Sequence, residues 1–305
     1  MSRELYACLH AAEFPAQALL RLRADLKAQP VAVLDGPAHD QCVCAFNRLA
    51  GQRGVVRGLG RIEVESVAGV QLLARSQPVE EAARAVLLEV AAQFSPRIEE
   101  VCAANVCSFV LDVAGCELLF GPTDQMATRI REVMAAAGFR VSVAISANFH
   151  VARIKAAAGR GIAIVPAGEE AVSVAKLPLS ALDLSENPRE TFAVWGIRTL
   201  AELAALPEVE LVTRLGAEAR DWRALARGAA RHTFRPIEAA FALREFYEFD
   251  SPVEQMEGLL FIASRMIDCL VERAASHALS LASLGVEMKL EGGAIHQLNL
   301  RPALP

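Results

Sequence analysis

The spacing of hydrophobic and polar residues divides this chain into short buried strands and amphipathic helices. Apolar runs bounded by Gly, Pro or polar residues predict buried strands. These runs occupy residues 5–10, 31–34, 41–46, 70–74, 98–103, 106–112 and 139–146. Apolar residues at helical spacing predict helices that open near Pro15, Pro78 and Pro122, since Pro is favoured in a first helical turn. The order strand, helix, two strands, helix, strand is that of a ferredoxin-like βαββαβ unit, so the pattern predicts an α+β fold.

The second half of the chain follows a different pattern. From about residue 166, short helices rich in small residues follow one another, as in 195–207 and 215–222. A linker at about 231–238 leads to Leu243–Phe249, whose alternation predicts another strand. A long amphipathic helix around 256–270 and strands near 280–290 and 295–300 complete the pattern.

Length and charge narrow the possible functions. A length of 305 residues predicts two or three domains, and a hydrophobic content of 53% excludes disorder as the main state. The chain has 31 Lys and Arg against 36 Asp and Glu, a net charge of −5. A protein that binds DNA through charge alone is usually basic. Binding to DNA would therefore use a local basic patch, be weak, or depend on basic segments missing from this sequence.

Seven cysteines lie mostly in apolar runs, and their spacing does not match a zinc site. We interpret them as buried, reduced thiols of a cytoplasmic protein. The opening Met1-Ser-Arg-Glu leads directly into a predicted strand, so we expect no signal peptide. We also expect no membrane span, because no apolar segment approaches the ~18 residues that one requires.

The stretch from Ser95 to Gly115 carries the strongest family resemblance in the chain. It contains Arg97-Ile98-Glu99 and, after a turn, Leu111-Asp112-Val113. This frame resembles the signature palm strands of Y-family (DinB/UmuC-type) translesion DNA polymerases. In that family the turn carries adjacent Asp and Glu, whereas here it reads Ala103-Ala104-Asn105.

The resemblance extends in order along the chain. Residues 53–58 are similar to the family's fingers turn, residues 151–154 to a palm helix, and residues 195–203 to a thumb segment. The fold implied is multidomain α+β, a polymerase right hand with a ferredoxin-like palm, small fingers, a helical thumb of helix-hairpin-helix type and a truncated little finger. The expected domains are a palm at 1–165 with fingers inserted at about 11–65, a thumb at 166–232, a linker at 233–240 and an incomplete little finger at 241–305.

The same resemblance implies that the metal-binding acids are replaced. The first-strand acids of the family would fall near His10 and Ala12, and the turn acids at Ala104 and Asn105. The fingers Tyr and Arg that hold the incoming triphosphate would fall at Arg48 and Gly51, and a later palm basic residue is kept as Arg160. The implied protein has no catalytic residues, no metal and no cofactor.

This combination resembles the ImuB-like branch, the catalytically inactive paralogues of Y-family polymerases in bacterial mutasomes. The resemblance implies an adapter in damage-induced mutagenesis. Its expected partners are the sliding clamp, an ImuA-type accessory protein, RecA and an error-prone C-family DNA polymerase. Most of these contacts are expected in a tail that this sequence does not include, with weak binding to primer-template DNA and none to a membrane.

Two alternatives stay open at this point. Displaced carboxylates could rebuild a metal site and keep an active error-prone polymerase; the candidates are Glu13, Glu99, Glu100, Asp112 and Glu117. The chain could also be a plain DNA-binding module. A histidine that ends an apolar strand, as His10 does, is more often simply hydrogen-bonded than catalytic.

Candidate DNA contacts lie in two basic groups. Arg153, Lys155 and Arg160 form the best basic cluster of the predicted palm. In the thumb, Gly216 precedes a helix with Arg220 and Arg223, where backbone N–H groups at a hairpin turn could meet a phosphate. Each group could equally be a solvated surface.

Overall fold

A computed structural model describes residues 4–23, 25–237, 243–249, 251–253, 255–276 and 279–301. Its strands, in chain order, are β1 (Tyr6–Ala11), β2 (Val31–Asp35), β3 (Cys42–Phe46), β4 (Gln71–Ala74), β5 (Ile98–Glu100), β6 (Cys107–Asp112), β7 (Ser142–Ser146), β8 (Ile162–Ile164), β9 (Leu284–Lys289) and β10 (Ile295–Leu300). Its helices are α1 (Phe14–Leu20), α2 (Arg48–Gln52), α3 (Arg61–Glu65), α4 (Gln77–Ala92), α5 (Glu117–Phe120), α6 (Thr123–Ala136), α7 (Phe149–Ala158), α8 (Glu170–Ala175), α9 (Glu186–Val194), α10 (Leu200–Ala205), α11 (Glu208–Leu215), α12 (Glu218–Ala226) and α13 (Met256–Ser276), with a 3₁₀ turn at Leu179–Ala181.

The chain divides into two compact units, and the boundary between them falls inside α4. The first unit comprises Met1–Ala12 and Leu87–Ala239, and the second comprises Glu13–Val86 and Ala240–Pro305. The division of the chain into palm, fingers, thumb and little finger stays a prediction.

A five-stranded sheet forms the centre of the first unit, in the order β5-β6-β1-β7-β8. β1 is antiparallel to both β6 and β7, and β8 adds a parallel edge beside β7. The four strands β5-β6-β1-β7 have the ferredoxin-like order that the sequence pattern predicts. Tyr6, Cys8 and Val110 share one face of the sheet, where they pack with Phe149 and Ala152 of α7.

The helical part of this unit, residues 170–226, packs around a core that it shares with Val151 and Ile154 of α7. Phe192, Leu200, Leu203 and Leu211 are buried there, and Trp195 and Trp222 stand edge-on to Phe192. Thr199 caps α10 by accepting a hydrogen bond from the Glu202 N–H at 3.3 Å. We call residues 170–226 the helical segment.

The second unit contains two further sheets. One has the order β3-β2-β4, with β2 antiparallel to β3 and parallel to β4. The other is the antiparallel hairpin of β9 and β10, whose residues are largely exposed. Among the residues that the structure describes, no helix combines the length and the apolar character that crossing a bilayer requires.

Two sequence-based expectations are wrong. Residues 243–249 are not a strand, although they alternate. They lie beside the α1 region instead, where Glu245 pairs with Arg21 and the Tyr247 hydroxyl accepts from Arg23 Nε at 2.7 Å. Nor are all the cysteines buried: Cys42 and Cys102 are exposed, because they lie at the start of a strand and beside a hairpin turn.

Candidate functional site

The resemblance places the first-strand acids of the family near His10 and Ala12, and His10 lies near the end of β1. The sheet register places His10 opposite Ser108 of β6 on one side and opposite Ser142 of β7 on the other. His10 Nδ1 lies 2.9 Å from the Ser108 hydroxyl oxygen, within hydrogen-bond distance. The expectation that His10 is a hydrogen-bonded strand residue is therefore confirmed.

The hairpin between β5 and β6 determines which residues face this position. Ala103 and Val106 exchange two backbone hydrogen bonds of 3.0 and 3.1 Å, so Ala104 and Asn105 form the turn itself. Asn105 is three residues from Ser108, about 10 Å of extended chain. The side chain that faces His10 is thus Ser108, and neither it nor the turn residues carry a carboxylate.

Arg160 lies at the same end of the sheet. Ser142, the register partner of His10, donates its hydroxyl to the Gly159 carbonyl at 2.9 Å, and Arg160 is the next residue. Arg160 is exposed. The other two members of the predicted basic cluster differ from it: Arg153 is half-buried, and Lys155 Nζ donates to the Ser173 carbonyl at 3.1 Å. Of these three residues, only Arg160 is exposed to solvent.

Two of the carboxylates that the sequence analysis considered as displaced metal ligands have partners in the structure. The Glu13 carboxylate accepts from Arg57 at 2.6 Å and from the Phe46 N–H at 3.0 Å. Asp112 pairs with Arg97 at 2.9 Å and accepts the Ala114 N–H at 3.2 Å. Within the described ranges, no three His, Cys, Asp or Glu side chains converge in a group that could hold a metal ion.

Two further carboxylates complete this set of candidates. Glu117 is exposed in the first turn of α5, where a negative charge suits the helix dipole. Glu100, at the end of β5, is half-buried. Neither lies in a cluster of potential metal ligands among the described residues.

Glu99 has the most enclosed carboxylate of the predicted set, with 9% of the residue exposed. It accepts from His232 Nε2 at 2.8 Å and from the Arg235 N–H at 2.6 Å. His232 stacks on Phe149 with ring centres 3.6 Å apart, and Phe234 stacks on Tyr6 at 5.7 Å. We call residues 231–237 the linker segment; Glu99 holds it against the sheet.

The linker segment also continues the sheet and perturbs a second histidine. Ile237 donates its N–H to the Ile98 carbonyl at 2.7 Å, an isolated bridge beside β5. His150 stands edge-on to His232 at 5.2 Å. Burial lowers the pKa of His150, and the nearby Arg153 and His232 act in the same direction.

The arginines predicted to contact DNA in the helical segment are engaged within it. Glu208 accepts from Arg220 Nε at 2.9 Å and from an Arg223 terminal nitrogen at 3.3 Å. Arg223 Nε also donates to the Leu206 carbonyl at 2.7 Å. Gly216 is exposed at the end of α11 with φ +86°, but the first turn of α12 holds Glu218, whose charge opposes a bound phosphate.

The hairpin before α10 is also closed to an anion. The Glu202 carboxylate accepts the N–H groups of Arg198 at 2.6 Å and Thr199 at 2.9 Å. These hydrogen bonds lower the pKa of Glu202. A side chain of the protein therefore occupies the donors that a phosphate oxygen would need.

Comparison with known families identifies the part of the chain that contains this site. Residues 9–157 match the model of the impB/mucB/samB family. This segment is just under half of the chain, and it is similar to the Y-family polymerase domain that this model describes. It includes the end of β1, all of β6 and α7 except its last residue, and therefore His10 and Ser108; Arg160 lies just beyond it.

The curated relatives carry two names. DNA polymerase IV of Dehalococcoides mccartyi strain CBDB1 is 30% identical over 204 residues, 65% of this chain and 51% of the relative. Protein ImuB of Caulobacter vibrioides strain NA1000 / CB15N is 28% identical over 166 residues, 53% of this chain and 36% of the relative. The chain spans about half the length of the DNA polymerase IV relatives from Dehalococcoides.

Solved structures establish the fold. The post-insertion binary complex of Dbh DNA polymerase aligns with a TM-score of 0.64 at 17% identity, over 98% of this chain and 88% of that one. DinB from Sulfolobus solfataricus aligns with a TM-score of 0.63 at 16% identity, over 97% and 87%. The chain therefore has the fold of a Y-family DNA polymerase, as the sequence analysis predicts.

Sequence reasoning missed one feature of this site. It treated Glu99 as a possible displaced ligand, whereas the structure pairs Glu99 with a histidine 133 residues away. The predicted strand at 106–112 does contain Ser108, but only the sheet register shows that Ser108 lies opposite His10.

Proposed function

We propose that this protein is a non-catalytic, Y-family polymerase-like adapter in DNA-damage-induced translesion synthesis. The observation that carries the proposal is the contact between His10 and Ser108 at the end of the central strand, near the position that the resemblance assigns to a metal-binding acid, in a domain whose relatives include proteins named DNA polymerase IV and ImuB. The fold is kept, while the charge on which nucleotidyl transfer depends is missing from this position.

The chemistry of the reaction explains why this substitution matters. Two-metal nucleotidyl transfer needs divalent ions, which activate the attacking hydroxyl and neutralise the phosphates. Mg²⁺ prefers carboxylate oxygens, with water and phosphate completing its octahedral shell. A hydroxyl and an imidazole supply neither the negative charge nor the hard anionic oxygen that the ion requires.

The triphosphate-binding position supports the same conclusion. In the resemblance, a family arginine falls at Gly51 of α2. A Cβ atom added there would lie 2.9 Å from Phe46 Cε2, closer than real Cβ contacts allow. A side chain at Gly51 would therefore require the Phe46 ring to move, and Arg48 stands where the resemblance places the family tyrosine.

The proposed adapter links the sliding clamp, an ImuA-type accessory protein, RecA and an error-prone C-family DNA polymerase. These partners are the ones that the resemblance to ImuB-like proteins implies, and two of the relatives are named ImuB. Binding of primer-template DNA by this chain is proposed to be weak, because two of its candidate arginines, Arg220 and Arg223, are paired with Glu208. Arg160 is exposed, as is Arg220 despite its ion pair.

Primer extension tests the absence of catalysis. The purified protein is incubated with primer-template DNA and all four dNTPs, in Mg²⁺ and separately in Mn²⁺, and we expect no nucleotide addition. Glu13→Ala and Asp112→Ala variants serve as controls for contamination. Addition by the wild-type protein that either variant abolishes would establish the alternative, an active error-prone polymerase with rearranged ligands.

Pull-down of the full-length protein with purified clamp and C-family polymerase tests the adapter role. We expect both to be retained at moderate salt. A full-length protein that binds DNA and retains neither partner would instead be a plain DNA-binding module. Primer extension tests catalysis and the pull-down tests partner binding. The two results are independent, because a protein can lack either property and keep the other.

A further inference from the structure

Two cysteines face each other across the β5–β6 hairpin, directly beside the turn. Cys102 Sγ and Cys107 Sγ lie 3.1 Å apart, and both residues are reduced thiols. Cys107 is buried at the start of β6, while Cys102 is exposed. The predicted function does not use either of them.

The backbone pairing of the hairpin explains this proximity. Ala103 and Val106 exchange two hydrogen bonds, and Val101 donates to the Ser108 carbonyl at 2.9 Å. Because hydrogen-bonded and non-hydrogen-bonded pairs alternate along an antiparallel ladder, Cys102 and Cys107 form the non-hydrogen-bonded pair between them. Such pairs have Cα atoms about 4.5 Å apart and side chains close together, within the range that a disulfide spans.

We propose that Cys102 and Cys107 form a redox-active dithiol that low-molecular-weight disulfides of the glutathione type oxidise to an intramolecular disulfide. Cys102 is the attacked and attacking thiol, because it is the accessible one of the two. Cys107 is the resolving thiol, because its Sγ lies only 3.1 Å from Cys102 Sγ. This site goes beyond the proposed function and does not depend on it.

The reaction balances through two thiol–disulfide exchanges. The Cys102 thiolate, its proton lost to water, attacks one sulfur of glutathione disulfide; that S–S bond breaks and one glutathione leaves. The Cys107 thiol then gives its proton to water, attacks Cys102 Sγ in the mixed disulfide and releases the second glutathione. Two protein thiols are oxidised, one glutathione disulfide is reduced to two glutathiones, and a dithiol reductant reverses both steps.

The remaining cysteines provide the contrast. Burial raises the pKa of Cys8 to about 12 and that of Cys44 to about 11, and it also raises the pKa values of Cys116 and Cys269. Thiols with raised pKa values carry little thiolate at neutral pH and react slowly. Cys42 is exposed, but its strand partner is Asp35, so it has no cross-strand thiol to resolve a mixed disulfide.

The disulfide would form beside the contact between His10 and Ser108. A disulfide between Cys102 and Cys107 closes a ring around the turn residues, next to Ser108 and one strand from His10. Oxidation would therefore hold the hairpin tip in one conformation, at the end of the sheet where the family carries out chemistry.

A redox titration of the whole chain tests the proposal. Reduced protein is equilibrated in glutathione buffers of increasing oxidised fraction, acid-quenched, alkylated, and analysed by mass spectrometry after digestion. We expect one disulfide that links Cys102 to Cys107, with the loss of two alkylatable thiols. Dithiothreitol should restore both thiols, and circular dichroism should be unchanged throughout.

Three variants make the outcome decisive. Cys107→Ser should stop at a glutathione adduct on Cys102, and Cys102→Ser, which changes an exposed residue, should abolish the two-thiol loss. Cys42→Ser is the matched control and should behave as wild type. A wild-type protein that accumulates a stable Cys102 adduct, or that shows equal modification of Cys42 and Cys102 without the internal disulfide, would overturn the proposal.

Discussion

Two places on one face of the five-stranded sheet differ in the side chains they hold. At the end of β1, His10 and Ser108 lie within hydrogen-bond distance, near the position where the family resemblance predicts a catalytic acid. On β5, Glu99 has a nearly buried carboxylate, with His232 and a backbone N–H as partners. A buried polar or charged group is tolerated only where the protein supplies its hydrogen-bond partners. This domain therefore holds a carboxylate where its own residues satisfy it.

The largest effect should come from Glu99→Ala. It leaves His232 and the Arg235 N–H without their shared acceptor and releases the linker segment from β5. We expect a loss of about 3 kcal/mol in the free energy of unfolding, near the upper end for an unsatisfied buried hydrogen-bonding group. Urea denaturation followed by tryptophan fluorescence measures it.

Glu132→Ala, at an exposed position of α6, is the matched control and should change the urea midpoint by little. If Glu99→Ala is as mild as Glu132→Ala, the linker segment does not depend on the carboxylate, and the contrast between the two places fails.

The second prediction concerns pH and His150. Its pKa is lowered in the folded protein, so the unfolded chain binds the proton more readily. The stabilising contribution of the neutral ring is therefore fully present above the unfolded pKa of about 6.5, and is lost as the pH falls through the folded value. The urea midpoint should drop between pH 7.5 and pH 5, and His150→Gln should reduce that drop.

His39→Gln, at an exposed position, should leave the pH dependence unchanged. An identical pH profile for wild type and His150→Gln would show that burial beside the linker segment does not disfavour the imidazolium.

A smaller effect on stability is expected for the hydrogen bond between His10 and Ser108. His10→Ala and Ser108→Ala each remove one side of a hydrogen bond between uncharged groups, and a double-mutant cycle should give a coupling of about 1 kcal/mol. Urea midpoints of the four proteins measure it. A coupling of several kcal/mol would indicate an ionised pair, and hence a charge at this position after all.

The smallest effect extends the contrast to the helical segment. Glu208→Gln should release Arg220 and Arg223 and tighten DNA binding by about twofold, since exposed ion pairs contribute well under 1 kcal/mol. A fluorescence-anisotropy titration at several salt concentrations measures the affinity and its salt dependence. Glu210→Gln is the control, because Glu210 lies on the same helix and has no arginine partner among the described residues. If both variants change the DNA affinity equally, Glu208 is not the residue that restrains these arginines.

Most of the element order was predictable from local pattern. The strands at 5–10 and 106–112 and the helices after Pro78 and Pro122 were read correctly, because apolar periodicity reports which residues must be buried. The alternating segment 243–249 was misread for the same reason. Its alternate side chains do find partners, but these are Arg21 and Arg23 rather than a neighbouring strand.

The sequence by itself led to the hypothesis that His10, Ala12, Ala104 and Asn105 stand where the family's metal-binding acids lie, because motif spacing fixes such positions within a few residues. Only the tertiary structure decided that Ser108 faces His10, that Glu99 binds a linker 133 residues away, and that Cys102 meets Cys107. Strand register and long-range contacts depend on how whole elements pack together, and a shift of one residue would turn every side chain to the other face.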